Sequence, residues 1–152
     1  LRGFSDMTII TNSPEETIRT AQTLGSLLKA GDIIAYRGGL GAGKTTFTRG
    51  LAIGLGLNDN VTSPTFALVN EYCGNTLNIY HFDMYRIECE SDLESSGFYD
   101  YDFENNIAVI EWSENISDFL PENTVYITIN ALSDFKREII IEDGGRFAST
   151  WN

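Results

Sequence analysis

The run Gly38-Gly39-Leu40-Gly41-Ala42-Gly43-Lys44-Thr45 restricts the fold of this chain more than any other feature. It fills every position of the pattern G-x-x-x-x-G-K-[ST], and its flanks have the polarity that the pattern needs. Before it, Asp32 to Tyr36 contains the apolar stretch Ile33-Ile34-Ala35, suited to a strand buried on both faces of a sheet. After it, Thr46 to Leu57 reads as a helix with Phe47, Leu51 and Leu55 on one face. A strand feeding a glycine loop and then a helix implies an α/β architecture. The glycines let successive backbone N–H groups converge on phosphate oxygens with no Cβ in the way. The helix that follows turns its free N–H groups and positive dipole end toward the same anion. On this reading Gly38, Gly41, Ala42, Gly43, Lys44, Thr45 and Thr46 form a phosphate-binding loop. Lys44 reaches the β- and γ-phosphates of ATP, or the β-phosphate of ADP, and the Thr45 hydroxyl ligates Mg2+.

The remaining segments alternate strand and helix around this unit. Met7-Thr8-Ile9-Ile10 is a short strand. A helix starts at Ser13-Pro14-Glu15-Glu16, where Ser13 caps, Pro14 fits the first turn and Glu16 completes a capping box. Ile18, Ala21, Leu24, Leu27 and Leu28 recur at helical spacing until Gly31. Phe66 to Val69 and Leu77 to Tyr80 read as strands of a hairpin across Gly74-Asn75, the second running on toward Asp83. Glu88 to Phe103 is acidic and helical in pieces, broken at Gly97. Ile107-Ala108-Val109-Ile110 has the continuous apolar character of a central parallel strand, and Val125 to Ile129 and Glu138 to Glu142 form a late antiparallel pair. The expected fold is that of a P-loop NTPase, a mainly parallel sheet flanked by helices with antiparallel strands added. At 152 residues the chain suits one domain over 7–152. Leu1 to Asp6 reads as an expression-tag remnant or disordered leader ahead of Met7.

Composition narrows the partners. The net charge is −12, and Lys136-Arg137 is the one place where basic residues adjoin. A protein that grips nucleic acid unaided carries a basic face that neutralises phosphates, so autonomous binding of nucleic acid is not expected. No apolar run approaches the roughly 20 residues of a membrane span, and no signal-peptide pattern opens the chain. The two cysteines, Cys73 and Cys89, form no C-x-x-C pair and read as thiols of a reducing cytoplasm. A soluble cytoplasmic protein, monomeric when alone, is the expectation.

A phosphate loop of this kind needs a carboxylate near magnesium, usually at the end of a neighbouring strand. Glu111 follows Ile107 to Ile110 directly, and Asp83 ends the strand that begins at Leu77. Either is a candidate metal ligand, and one of them is a candidate for orienting the attacking water. Thr65, in Ser63-Pro64-Thr65-Phe66, holds the position at which small GTPases place a threonine that senses the γ-phosphate. Arg86 is a candidate for stabilising phosphoryl charge or for a surface ion pair. His81 reads as a packed or hydrogen-bonded strand residue, and Trp112 as a core or stacking residue.

Four motifs in order extend the pattern: G-x-L-G-A-G-K-T; Ser63-Pro64-Thr65-Phe66 with Leu68-Val69-Asn70-Glu71-Tyr72; Tyr80-His81-Phe82-Asp83-Met84-Tyr85-Arg86; and Ile110-Glu111-Trp112. The chain resembles the TsaE (YjeE) family, the ATPase of bacterial tRNA threonylcarbamoyladenosine biosynthesis, from about Ser13 to Ile141. The resemblance implies slow ATP hydrolysis by the isolated protein and action with two partners, TsaB and TsaD. In that scheme TsaD transfers the threonylcarbamoyl group to the adenosine 3′ of the anticodon, and tRNA is met only through the complex. It also implies that Lys44 and Thr45 bind phosphate and magnesium, that Glu111 and Asp83 serve the metal and hydrolysis centre, and that Thr65 is a sensor. From the flanking segments, Ser13, Thr17 and Arg137 are candidates for the adenine side. No N-K-x-D motif is present, which favours ATP over GTP. Two rivals are a nucleotide-dependent switch with incidental hydrolysis and a small-molecule P-loop kinase. A kinase lid rich in arginine has few residues to draw on, since Arg86, Arg137 and Arg146 are the arginines after Arg49.

Overall fold

In the computed structural model, residues 6–38, 43–57 and 69–151 are described. Ser13 starts the first helix as its spacing predicts: its Oγ accepts a hydrogen bond from the Glu16 N–H at 3.2 Å, and Glu16 Oε1 accepts from the Asn12 N–H at 3.1 Å. This helix, α1 (Pro14–Leu27), follows strand β1 (Met7–Thr11) and precedes β2 (Ile33–Arg37). The second helix, α2 (Lys44–Gly54), begins two residues earlier than its apolar face suggests, because Gly43, at φ 101°, supplies the left-handed turn that opens it. Next come β3 (Val69–Tyr72), β4 (Ile79–Asp83), α3 (Glu90–Ser95) and β5 (Ile107–Glu111), then β6 (Val125–Ala131) and β7 (Arg137–Glu142). Phe66 to Leu68, expected to open β3, lie outside the described residues. The turn between β3 and β4 is held by Asn78, whose Oδ1 accepts from the Gly74 N–H at 3.1 Å, so β4 starts at Ile79 and not at Leu77.

The protein has an α/β fold around one seven-stranded sheet of order β1-β7-β6-β2-β5-β4-β3. The expectation of a mainly parallel sheet with antiparallel strands added holds in its mixture of directions, but among the described residues the antiparallel pairs are as many as the parallel ones. β2 runs parallel to β5 and β6, and β4 parallel to β5. The pairs β1–β7, β6–β7 and β3–β4 are antiparallel. The reason is local at one edge: the turn after Ala131 is tight enough for the Leu132 N–H to reach the Lys136 carbonyl at 2.9 Å, which sends the chain straight back.

One face of the sheet carries α1 and α2 over Ile34, Tyr36, Ile79, Val109 and Ile127. The helices approach closely through glycine. A Cβ on Gly25 would strike the Leu51 carbonyl, one on Gly50 the Ala21 side chain, and one on Gly54 the Gln22 carbonyl. The opposite face buries Phe82, Ala108 and Ile110 under Met84, Leu93, Phe98 and Ile116. The segment after β7, silent in the sequence, is tied down. Arg146 donates to both carboxylate oxygens of the buried Asp32, each at 2.7 Å, and Phe147 enters the core. Among the described residues no helix is long and apolar enough to cross a membrane.

Candidate functional site

The carboxyl ends of the parallel strands β2, β5 and β4 lie side by side. There Gly38 leaves β2 at φ 103°, and Gly43 opens α2 with no side chain capping the helix. The first N–H groups of α2 are therefore not claimed by a cap, and its first turn holds no acidic residue. Lys44 is buried, 7% exposed, and its Nζ donates to the Gly38 carbonyl at 2.6 Å. The ammonium thus spans the loop from the helix start to the strand end. Thr45 and Thr46 are half-buried beside it, while Gly41 and Ala42 lie outside the described residues. Thr48 Oγ1 donates to the Lys44 carbonyl at 2.8 Å and meets the Tyr36 hydroxyl at 2.7 Å, which ties the first turn of α2 to β2. Burial raises the Tyr36 phenol above its ordinary value, with the Glu111 charge adding to the rise, so it stays a neutral donor.

The two expected carboxylates are brought together. β4 and β5 pair in register, with Asp83 opposite Glu111 and His81 opposite Val109. Side chains alternate along a strand, so Glu111 shares the face of Val109 and Ile107, the face that α1 and α2 cover. Asp83 and His81 likewise share the face of Ile79. Glu111 is 8% exposed, and its Oε2 lies 2.6 Å from Nε2 of the fully buried His81. The other ring nitrogen of His81 is 3.3 Å from the Tyr72 hydroxyl. Asp83 is half-buried, and its Oδ1 accepts from the Tyr85 N–H at 2.9 Å.

Residues that the sequence did not single out fix these strand ends. After Glu111 the chain turns through Trp112, a non-glycine residue at φ 58°, into a short 3-10 turn over Ser113–Asn115. The buried Ser113 hydroxyl donates to the Tyr36 carbonyl at 2.7 Å, and Asn115 donates to the Met84 carbonyl at 2.8 Å. The Met84 N–H donates to the Glu111 carbonyl at 3.0 Å. The ends of β2, β4 and β5 are thereby joined by one turn. From that turn Glu114 also reaches back, its Oε2 accepting from the Gly38 N–H at 3.4 Å. The polar run Ser113-Glu114-Asn115 after an apolar strand was the available signal, but it looks like any exposed turn. The Trp112 ring stands edge-on to Tyr85 with centroids 5.0 Å apart, and Arg86 is exposed. Thr65 lies outside the described residues.

A cleft adjoins the other side of Gly43, lined by Pro14, Thr17, Thr46, Phe135 and Arg137. Two of the three residues expected near adenine, Thr17 and Arg137, thus share a cleft with Gly43. Ser13 does not line this cleft; its oxygen serves as the helix cap. Thr17 bonds Thr11 through the hydroxyls at 2.7 Å, and Arg137 braces the β6–β7 turn by donating to the Ser133 carbonyl at 2.8 Å. Phe135, missed in the sequence, is 66% exposed at the tip of that turn. An apolar ring among Ser133, Asp134 and Lys136 was its only signal. Among the described residues no group of three or more His, Cys, Asp or Glu side chains is suited to hold a metal ion alone.

Residues 11–139 match the family model described as "Threonylcarbamoyl adenosine biosynthesis protein TsaE". The chain belongs to the TsaE family. It is 39% identical over 135 residues to the tRNA threonylcarbamoyladenosine biosynthesis protein TsaE of Treponema pallidum, covering 89% of this chain and 99% of that protein. The Bacillus subtilis protein of the same name is 42% identical over 129 residues, covering 85% of this chain and 80% of the relative. Among solved structures, Bacillus subtilis YdiB superposes with a TM-score of 0.73 at 34% identity, covering 95% of this chain and 90% of that one. The TsaE match contains the glycine run, Asp83, Glu111 and Arg137, and it holds Asp32 but ends before that residue's partner, Arg146.

Proposed function

We propose that this TsaE-family chain is a magnesium-dependent ATPase of the P-loop NTPase fold. It supports transfer of a threonylcarbamoyl group to the adenosine 3′ of the tRNA anticodon by a TsaB–TsaD complex. The observation that carries the ATPase reading is Lys44 at the start of an uncapped helix beyond β2, with Glu111 and Asp83 opposite each other at the ends of the neighbouring strands β5 and β4. Family membership and the names of the relatives support the pathway.

The residues present fit a magnesium–nucleotide. The N–H groups at the start of α2 lack a side-chain cap, as an anion site requires. Mg2+ is usually held by one or two carboxylates together with substrate phosphates, and Glu111 and Asp83 stand opposite each other at two strand ends. Bound Mg–ATP supplies a γ-phosphoryl group whose charge the ion helps to neutralise during attack by water. The chain does the positioning. Lys44, whose ammonium lies on the Gly38 carbonyl, would bind the β- and γ-phosphates. The Thr45 hydroxyl and one of Glu111 and Asp83 would hold the ion, and the second carboxylate would orient the water. Thr65 would sense the γ-phosphate. Phe135, Arg137 and Thr17, which line the cleft beside Gly43, would border adenine. The net charge of −12 leaves tRNA to the partners.

The test is association of the purified protein with a TsaB–TsaD pair under ATP, ADP or no nucleotide, with phosphate release measured in parallel. Nucleotide-dependent association and stimulated hydrolysis are expected. Association without stimulation would favour a switch. Binding of magnesium–ATP without association would leave an ATPase with another task.

A further inference from the structure

We propose that His81 is a positioning residue for Glu111: it holds Oε2 of the carboxylate and so directs Oε1 toward the metal or the attacking water. The inference rests on the ATPase reading above. The geometry is that of a pinned acid. Both groups are buried, His81 fully and Glu111 with 8% exposure, and their atoms meet at 2.6 Å, the distance of a charge-assisted hydrogen bond. A carboxylate at a strand end is otherwise free to rotate about its terminal bond, presenting either oxygen. One N–H donor on Oε2 removes that freedom.

The carboxylate sets which nitrogen donates: an ionised carboxylate only accepts, so a hydrogen bond at Oε2 needs the proton on Nε2. Tyr72, on β3, places its hydroxyl 3.3 Å from Nδ1, where it can complete the bonding of the ring's far side. The chain Tyr72–His81–Glu111 thus runs from edge strand β3 across β4 to β5. Metal-site carboxylates and histidines are held in this way by hydrogen-bond partners in a surrounding layer, whose loss costs about 10–100-fold in affinity or activity. A histidine that merely filled the core would need no acid beside it, and Phe or Leu would serve as well.

His81 is the sole histidine, so its ring can be observed without assignment. In the nucleotide-free protein, long-range 1H–15N correlation should show Nε2 protonated, with its resonance moving in Glu111→Gln. A ring protonated only on Nδ1, or a resonance indifferent to that substitution, would overturn the proposal. For turnover, His81→Phe keeps the bulk and removes the donor. The kcat for ATP should fall about 10–100-fold with KM little changed. His81→Gln, whose amide reaches the Nε2 position, should recover most of that loss. Equal losses in the two variants, with folding intact, would make the role purely structural and sink the idea. Should His81→Phe fail to fold, the wild-type spectrum still decides. If wild type hydrolyses no ATP, the ATPase reading fails and not the pairing, which the spectrum reads independently.

Discussion

A glutamate at a strand end is ordinarily solvated, yet Glu111 is nearly buried and bonded to a histidine in the sheet interior. Such placement costs desolvation, which an oriented partner offsets. Glu111→Gln is expected to slow phosphate release about 10²–10³-fold while nucleotide binding persists in a fluorescence titration. The same loss confined to Asp83→Asn would exchange the roles of the two carboxylates. Lys44→Ala should abolish nucleotide binding, and normal turnover in that variant would contradict the assigned loop. At this scale much was legible: Glu111 and Asp83 stand where apolar strands stop. Their pairing was not, because strand register depends on hydrogen bonds between segments that are remote in sequence. Phe135 was missed for a related reason. A lone exposed ring carries no pattern until folding sets it beside Gly43 and Arg137.

Among the elements, α1 was announced by its capping box, and β5 by four apolar residues in a row. The antiparallel pairs β3–β4 and β6–β7 were legible from their spacing, but the third was hidden, because β1 finds its partner in β7, at the other end of the chain. The glycines of α2 were hidden too. Gly50 and Gly54 each lower the stability of an isolated helix by about 1 kcal/mol relative to alanine. Their purpose is close approach: a methyl group on Gly54 meets the Gln22 backbone, which cannot swing aside. Gly54→Ala should therefore destabilise the protein, by about 1–3 kcal/mol in chemical denaturation, despite the better helix propensity of alanine. A neutral or stabilised variant would mean that the helices can separate at little cost.

Across the whole molecule, the residues beyond the family match act as a closure. Arg146 grips Asp32 at the start of β2, and Phe147 fills the core against the α1–α2 face. The hydrogen bonds from Asp32 are the main reason that the Arg146 guanidinium is held above its ordinary value. Replacing Arg146 by Met would leave the buried carboxylate without its fork, at a cost of about 1–3 kcal/mol measured by thermal or urea unfolding. No change would mean that water substitutes for the guanidinium. No motif warns of this clasp, since its partners are far apart in the chain.

The glycine seam between α1 and α2 has a mechanical meaning. The first turn of α1 borders the cleft assigned to adenine, and the first turn of α2 carries the lysine assigned to phosphate. Helices locked backbone to backbone cannot act as opposing jaws, so both ends of a nucleotide would rest on a single anvil. Movement on loss of the γ-phosphate would then fall to the turns where β4 and β5 end, and a partner that senses the nucleotide would have to read those turns.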